Sequence, residues 1–499
     1  GDVIHTGVIP FLKVFEATVK SCQQNGLRGG GATVNFPIWH FEIESILQLK
    51  NNSGSDDTRV RKMDYNISFS KIFYERYKKK QDITLFSPHE VKDLYEAFGH
   101  PEFDELYLKY ENNPNIEMKR KVSSVDLFEK FFIKQRLETG RIYLMNIDHV
   151  NEHGSWLETV KMANLCQEVT QPEIPLKSLD DPDGEIGVCI LAAVNTLEIK
   201  NDKEFEDVCK IIVYFLDETI DIQEFFNNAA KKFATKRRSL AIGVTNLAAW
   251  IAKHGWNYSN ISKDGLEAID EFFEKMQYFL LKASNELAKV KGKCEYFNKT
   301  KYSKGILPID TYKKDVDQLV SRKLTQDWET LREDIKTYGL RHSTLTAQMP
   351  CESSSVIQNT TNGIEPVKGL ITYKGSKANR VTFLVPGINK WKYELCFDMK
   401  DNVGYIKICS IIQKYFDMAM STNTYYNPQH YVGGVPFEKM LKELMIGYKY
   451  GIKTFYYNNT NDGHDSMKEY REEPLPKLVG EKIKLEMGDN LLHEGDASE

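Results

Sequence analysis

Three polar groups that could do chemistry stand within five residues, Asn164-Leu165-Cys166-Gln167-Glu168: a carboxamide, a thiol and a carboxylate. A second thiol follows at Cys189, in Gly184-Glu185-Ile186-Gly187-Val188-Cys189. A cysteine in such a place is a reactive sulfur or a buried structural residue in a helix-to-strand connection, free cysteine being among the most buried residue types. Pro350-Cys351-Glu352-Ser353-Ser354-Ser355 puts hydroxyls and free backbone N–H groups at the mouth of an expected helix, a composition that holds phosphate or simply caps the helix. Asn25-Gly26-Leu27-Arg28-Gly29-Gly30-Gly31 surrounds one arginine with glycines. Such a loop lets backbone approach a ligand closely, or is a plain flexible turn. Tyr456 and Tyr457 are adjacent in a strand-like stretch from Gly451, where paired aromatics usually pack a sheet.

The elements that must position these residues alternate between strand and helix. A helix opens near Val14, a strand with β-branched and aromatic residues covers 33–40, and a helix with apolar residues at helical spacing covers 41–50. A strand runs into a helix over 67–73, and Thr84-Leu85-Phe86-Ser87-Pro88 reads as a loop before further helices. An amphipathic helix over 123–139 stops at Gly140, and 141–148 reads as a short buried strand. Pro172, Pro175 and Asp180-Asp181-Pro182-Asp183-Gly184 mark a surface loop. The apolar stretch from Ile186 to Leu197 predicts a strand covered on both faces, as in a parallel sheet. Residues 203–291 are mostly helical, with a further apolar stretch at Leu240-Ala241-Ile242-Gly243-Val244. This alternation argues α/β, a sheet or barrel enclosed by helices.

Composition bounds the function. With 499 residues, 41% hydrophobic and 27% charged, the chain has ordinary globular make-up. A net charge of −5 offers no basic field for nonspecific nucleic-acid binding. No apolar run reaches the ~18 residues of a membrane span, and the first residues have no signal-peptide pattern. The eight cysteines include no CxxC pair, which excludes zinc-ribbon and thioredoxin motifs, and no metal is expected. Their scatter suits a reducing compartment, the cytoplasm, or the host cytoplasm for a viral protein.

The 164–168 and 184–195 stretches, together with Trp328, Leu331, Gly339-Leu340-Arg341-His342, Thr346-Ala347 and Pro350, resemble the large (alpha) subunit of class I ribonucleotide reductase. The resemblance runs to about residue 465. It implies an α/β barrel of ten strands in two five-stranded halves, with a central finger loop and surrounding helices, incomplete on its N-terminal side. The barrel would occupy 1–465, and a charged flexible tail 466–499. Cys166 would be the thiyl radical that abstracts the ribose 3′ hydrogen, Glu168 the general base at the 3′ hydroxyl and Asn164 its orienting partner. Cys189 would be one of the two cysteines that reduce the substrate and close into a disulfide. Tyr456 and Tyr457 would relay the radical from a di-iron tyrosyl small (beta) subunit. Pro350, Glu352, Ser353, Ser354 and Ser355 would bind the substrate diphosphate. Arg28, Gly29 and Gly30 would belong to the loop linking the allosteric specificity site to the active site, and His5 to the edge of the neighbouring effector loop.

The same resemblance implies conversion of ribonucleoside diphosphates to deoxyribonucleotides for DNA synthesis. It implies ATP and dNTP effectors, no cofactor held tightly on this chain, an external dithiol such as thioredoxin or glutaredoxin, and large-subunit dimerisation. The family's second redox cysteine, activity-regulating ATP cone and first barrel strands have no counterpart here, and no cysteine follows Cys409 in the tail. Removing a hydroxyl as water needs two electrons, so Cys189 needs a second thiol. The expectation is a split large subunit, as in a phage or other compact genome. Its N-terminal piece would carry that thiol and cover open strand edges. The rival reading is a non-catalytic nucleotide-binding or assembly fragment. The joint presence of Asn164, Cys166, Glu168, Cys189 and both tyrosines weighs against it. A glycyl-radical reductase on the same barrel is disfavoured by the tyrosine pair and the lack of a glycyl-radical motif.

Overall fold

The computed structural model describes residues 6–24, 28–375 and 380–461. His5 and the 466–499 tail lie outside the described residues, as do 25–27 of the glycine-arginine stretch.

Thr33–Pro37 (β1), Asp64–Phe69 (β2) and Ile142–Asn146 (β3) run parallel, with Tyr65 opposite both Val34 and Ile142. Every residue of β3 is buried, as expected of a strand covered on both faces. Leu191–Asn195 (β4) pairs parallel with Ala241–Thr245 (β5). Bridges Ile242–Thr346 and Gln348–Met420 carry the pairing on through residues 344–348 to 418–422. That segment continues into Thr424–Tyr426 (β6). Thr454–Phe455 (β7) lies antiparallel to β3, and Asn458–Thr460 (β8) parallel to β6.

The hydrogen-bonded order is therefore β1, β2, β3, the β7–β8 segment, 418–426, 344–348, β5, β4. The first three segments share one direction, and the rest run the opposite way. β1 and β4 end this run with no further strand partner among the described residues. The class is α/β, and the described residues do not close a barrel.

Two devices hold residues 344–348, whose polar/apolar alternation is short and only weakly apolar. The buried Asp417 carboxylate accepts from Leu345 N at 2.8 Å, Thr346 N at 2.9 Å and the Tyr302 hydroxyl at 2.8 Å. Gly243 in β5 leaves the necessary room, since a Cβ there would lie 2.7 Å from Ala347 O. Helices Asp202–Ile222 and Lys263–Lys291 are N-capped by the side chains of Asn201 and Ser262.

Two expectations are corrected. The strand predicted from Ile186 to Leu197 is paired only over 191–195, and Leu191 stays 42% exposed. β4 has a partner on one side only among the described residues, so burial is incomplete. Thr84-Leu85-Phe86 is not loop: Asp82–Phe86 is a strand antiparallel to Lys119–Ser123. Its β-branched and aromatic residues outweigh the Ser-Pro signal that follows. No helix among the described residues is long and apolar enough to cross a membrane.

Candidate active site

Residues 163–170 form a narrow hairpin, closed by the Ala163–Thr170 bridge and the Asn164 N to Val169 O bond of 3.1 Å. Gln167 takes a left-handed backbone at its tip (φ 73°), which is uncommon for a residue with a side chain. Asn164 maintains that turn. Its carbonyl oxygen accepts from Gln167 N and Nε2, and its Oδ1 from Val169 N at 3.0 Å. On one side the hairpin meets β1, where the Thr33 hydroxyl donates to Leu165 O at 3.1 Å. On the other it meets 418–422, where Ala419 N donates to Glu168 O at 2.9 Å. The hairpin is thus held between the two halves of the strand run.

Glu168 is buried. Burial pushes its carboxyl up, against hydrogen bonds from its own backbone, Asn164 and Ser421. A carboxyl so placed is a better proton acceptor than one in water. Cys189 stands within 4.0 Å of Asn164 Nδ2. Part of its surface meets solvent. The surrounding protein and then the Glu168 carboxylate still push its thiol up, so it stays protonated at neutral pH.

Tyr456 and Tyr457 follow β7, with ring centroids 3.8 Å apart. Tyr143 of β3 packs 4.8 Å from Tyr456, and the Arg141 guanidinium lies 4.2 Å over the Tyr457 ring while donating to its hydroxyl at 2.8 Å. Burial pushes both phenols up, so each stays protonated at neutral pH. The Arg136 guanidinium, fully buried, donates to Tyr456 O at 2.8 Å, Ile142 O at 2.5 Å and the Thr424 hydroxyl at 3.2 Å. The Lys453 ammonium, also buried, donates to four carbonyls, among them Asp417 O and Met418 O at 3.0 Å.

A cavity of about 680 Å³ opens beside the hairpin and the tyrosine pair; Asn164, Glu168 and Cys189 are not among the residues that line it. Cys166, Pro350, Glu352, Ser353, Ser354, Tyr456 and Tyr457 line it together. Ser355 does not: it is buried in helix Glu352–Ile357, with its hydroxyl on Glu352 O at 3.2 Å. Arg28-Gly29 pairs antiparallel with Gln23-Gln24, and the Gly30 N–H donates to Cys22 O at 3.2 Å, so the backbone of this stretch packs at the end of helix Ile9–Ser21. Cys351, Gln358, Glu365, Lys368, Asn423 and Asn459 add polar groups to the wall. Sequence reasoning missed them, Cys351 despite its place inside the serine-rich motif. The others stand singly in stretches without pattern. Among the described residues no group of three or more His, Cys, Asp or Glu is arranged to hold a metal ion.

The strand run, the hairpin thiol and the tyrosine pair meet in one region of an α/β chain. Residues 1–390 and 383–458 match the model of the ribonucleotide reductase barrel domain, and the chain belongs to the ribonucleotide reductase family. It is 48% identical over 477 residues to the ribonucleoside-diphosphate reductase subunit alpha of Haemophilus influenzae, covering 94% of this chain and 63% of that one. The corresponding subunit 1 alpha of Escherichia coli is 47% identical, covering 93% and 61%. The subunit alpha of Enterobacteria phage T4 is 42% identical, covering 93% and 62%. The chain therefore spans a little over three fifths of the length of these relatives.

Proposed function

We propose that this chain carries the catalytic barrel of a ribonucleoside-diphosphate reductase large subunit and works by thiyl-radical chemistry. One observation carries the reading: a single cavity is lined by the Cys166 thiol, the Ser353 and Ser354 hydroxyls and the Tyr456–Tyr457 pair. In it, Cys166 becomes the thiyl radical and takes the ribose 3′ hydrogen. Glu168 receives the 3′ hydroxyl proton and Asn164 orients the sugar. Cys189 supplies one reducing thiol. Tyr457 and Tyr456 pass the radical inward, one electron and one proton at each step. Pro350, Glu352 and the serine hydroxyls hold the diphosphate of the substrate. Arg28, Gly29, Gly30 and His5 serve the effector side.

The finer fold is a ten-stranded barrel over 1–465 with a tail beyond. The run of three segments one way and five the other leaves room for two strands between β1 and β4. Those strands, with the second reducing thiol, belong to the N-terminal part of the family's large subunit, joined to this chain or separate. The other partners are a di-iron tyrosyl small subunit, ATP and dNTP effectors, and a thioredoxin- or glutaredoxin-type dithiol, in the cytoplasm. Helix Ile9–Ser21 leaves Val14 63% and Phe15 57% exposed, a face suited to large-subunit dimerisation.

The test is diphosphate reduction with dithiothreitol. The chain is assayed alone, with an N-terminal large-subunit fragment, and with the small subunit added to each. Turnover confined to the three-part mixture supports the reading. Effector binding without turnover in any mixture favours an assembly subunit instead.

A further inference from the structure

Ser421 is buried between the hairpin and the tyrosine segment. Its Oγ lies 2.6 Å from the Cys166 carbonyl oxygen and 3.2 Å from Glu168 Oε2. The surrounding main chain is clamped: Ala419 N donates to Glu168 O and Ser421 N to Gln348 O, both at 2.9 Å, and Tyr456 N donates to Thr422 O at 2.8 Å. The freedom left at this junction is rotation of one hydroxyl, which has one hydrogen to give and two acceptors waiting.

We infer that Ser421 is a positioning residue that couples the protonation state of Glu168 to the peptide of Cys166. The inference rests on the proposed role of Glu168 as base. While Glu168 is ionised, its carboxylate competes for the serine hydrogen through a charge-assisted bond. Once Glu168 has taken the substrate's 3′ hydroxyl proton, its own O–H donates to Ser421 Oγ. The serine hydrogen then turns fully to the Cys166 carbonyl. Ser421 keeps its hydrogen throughout, and the proton gained at Glu168 is the one lost by the substrate. The Cys166 peptide is thus gripped most firmly after the sulfur has acted. The Glu168 carboxylate acts on two thiols from other elements, Cys189 ahead of β4 and Cys351 ahead of helix Glu352–Ile357, while Cys166 shares its hairpin. Burial raises the thiols of Cys189 and Cys351, the latter to about 12, so both remain uncharged while Glu168 titrates.

The test needs the full chain and no turnover. With the Cys166 carbonyl labelled by carbon-13, infrared difference spectra are taken across the titration of Glu168. The labelled band is expected to fall in frequency as Glu168 protonates, and not to move in Glu168→Gln. A band that ignores the titration in the wild-type chain overturns the inference. Ser421→Ala is expected to raise the Glu168 midpoint by roughly one pH unit, the worth of a lost hydrogen bond to a charged group, and Ser421→Thr to restore it. An unchanged midpoint in a folded Ser421→Ala also overturns it. Turnover retained by Glu168→Gln in the assembled enzyme removes Glu168's role as base, and leaves the infrared result to judge the coupling separately.

Discussion

At the scale of single residues, Cys166 and the tyrosines offer the sharpest expectations. Cys166→Ser and Tyr457→Phe each replace one atom at the cavity wall and should leave thermal unfolding and nucleotide binding unchanged. Turnover in the assembled complex should fall to background, and measurable reduction by either variant would remove its assigned role. Glu168 makes a separate statement about stability. Burial raises its carboxyl above the ordinary value of 4.5 in the folded chain, so the folded state holds the proton more tightly than the unfolded one. Stability is then greatest below the unfolded value and declines as pH rises through the folded one. Urea midpoints of wild type should drop relative to Glu168→Gln as pH climbs from about 4.5 towards neutral; parallel curves would refute this. Asn164, Cys166 and Glu168 stood out because one five-residue motif holds them side by side. Ser421 was not. A lone serine 253 residues away acquires meaning only when residues 418–422 lie along the hairpin.

Among elements, the joints are made by buried charge. Asp217 on helix Asp202–Ile222 receives Arg238 Nε at 2.6 Å and Arg341 Nε at 3.1 Å, and His342 Nε2 lies 3.2 Å away. Burial alone would raise the Asp217 carboxyl, but bonds from His342 and Arg238 hold it well below the usual range. Burial lowers the imidazole's own pKa, so at neutral pH the charges that count are the guanidiniums and the Lys291 ammonium, 3.2 Å from Asp217 Oδ2. Asp217→Asn should cost about 3 kcal/mol in urea unfolding, because it strands buried cations. A loss within error of zero would mean that water or relaxation replaces the pair. Wild-type stability from this group is present above the ordinary carboxyl value of 3.8 and is lost as acid titrates it. The long helices were readable from apolar spacing and capping residues. Residues 344–348 alternate polar and apolar as a strand would, but Thr-Leu-Thr-Ala-Gln is too short and too weakly apolar to stand out; Asp417, far along the chain, supplies the backbone partners that hold it.

For the whole molecule, two exposed features bear on the proposed assembly. Helix Ile9–Ser21 buries Leu12 and leaves Val14 and Phe15 in solvent. Phe15→Glu should weaken self-association at least tenfold in sedimentation, a change of ~1.4 kcal/mol, without altering thermal unfolding. Unchanged association would place any dimer contact elsewhere. The unpaired edges of β1 and β4 make the second. The α/β class was visible from alternating strands and helices. The strand order was not, because it depends on pairings between segments hundreds of residues apart.

That order also bears on how the protein is made. β7 and β8, which flank the tyrosine pair, sit mid-run between β3 and residues 418–426, yet they are translated after every other segment of the run. A nascent chain stopped before residue 454 would hold two half-sheets with bare inner edges and nothing between them. Long-range pairing of this kind is slow and prone to misassociation while incomplete. The proposed tyrosine route to Cys166 would therefore come into being only as the ribosome finishes the segment that welds the halves. On that reading, a half-made chain has no relay by which a stray radical could reach its thiol.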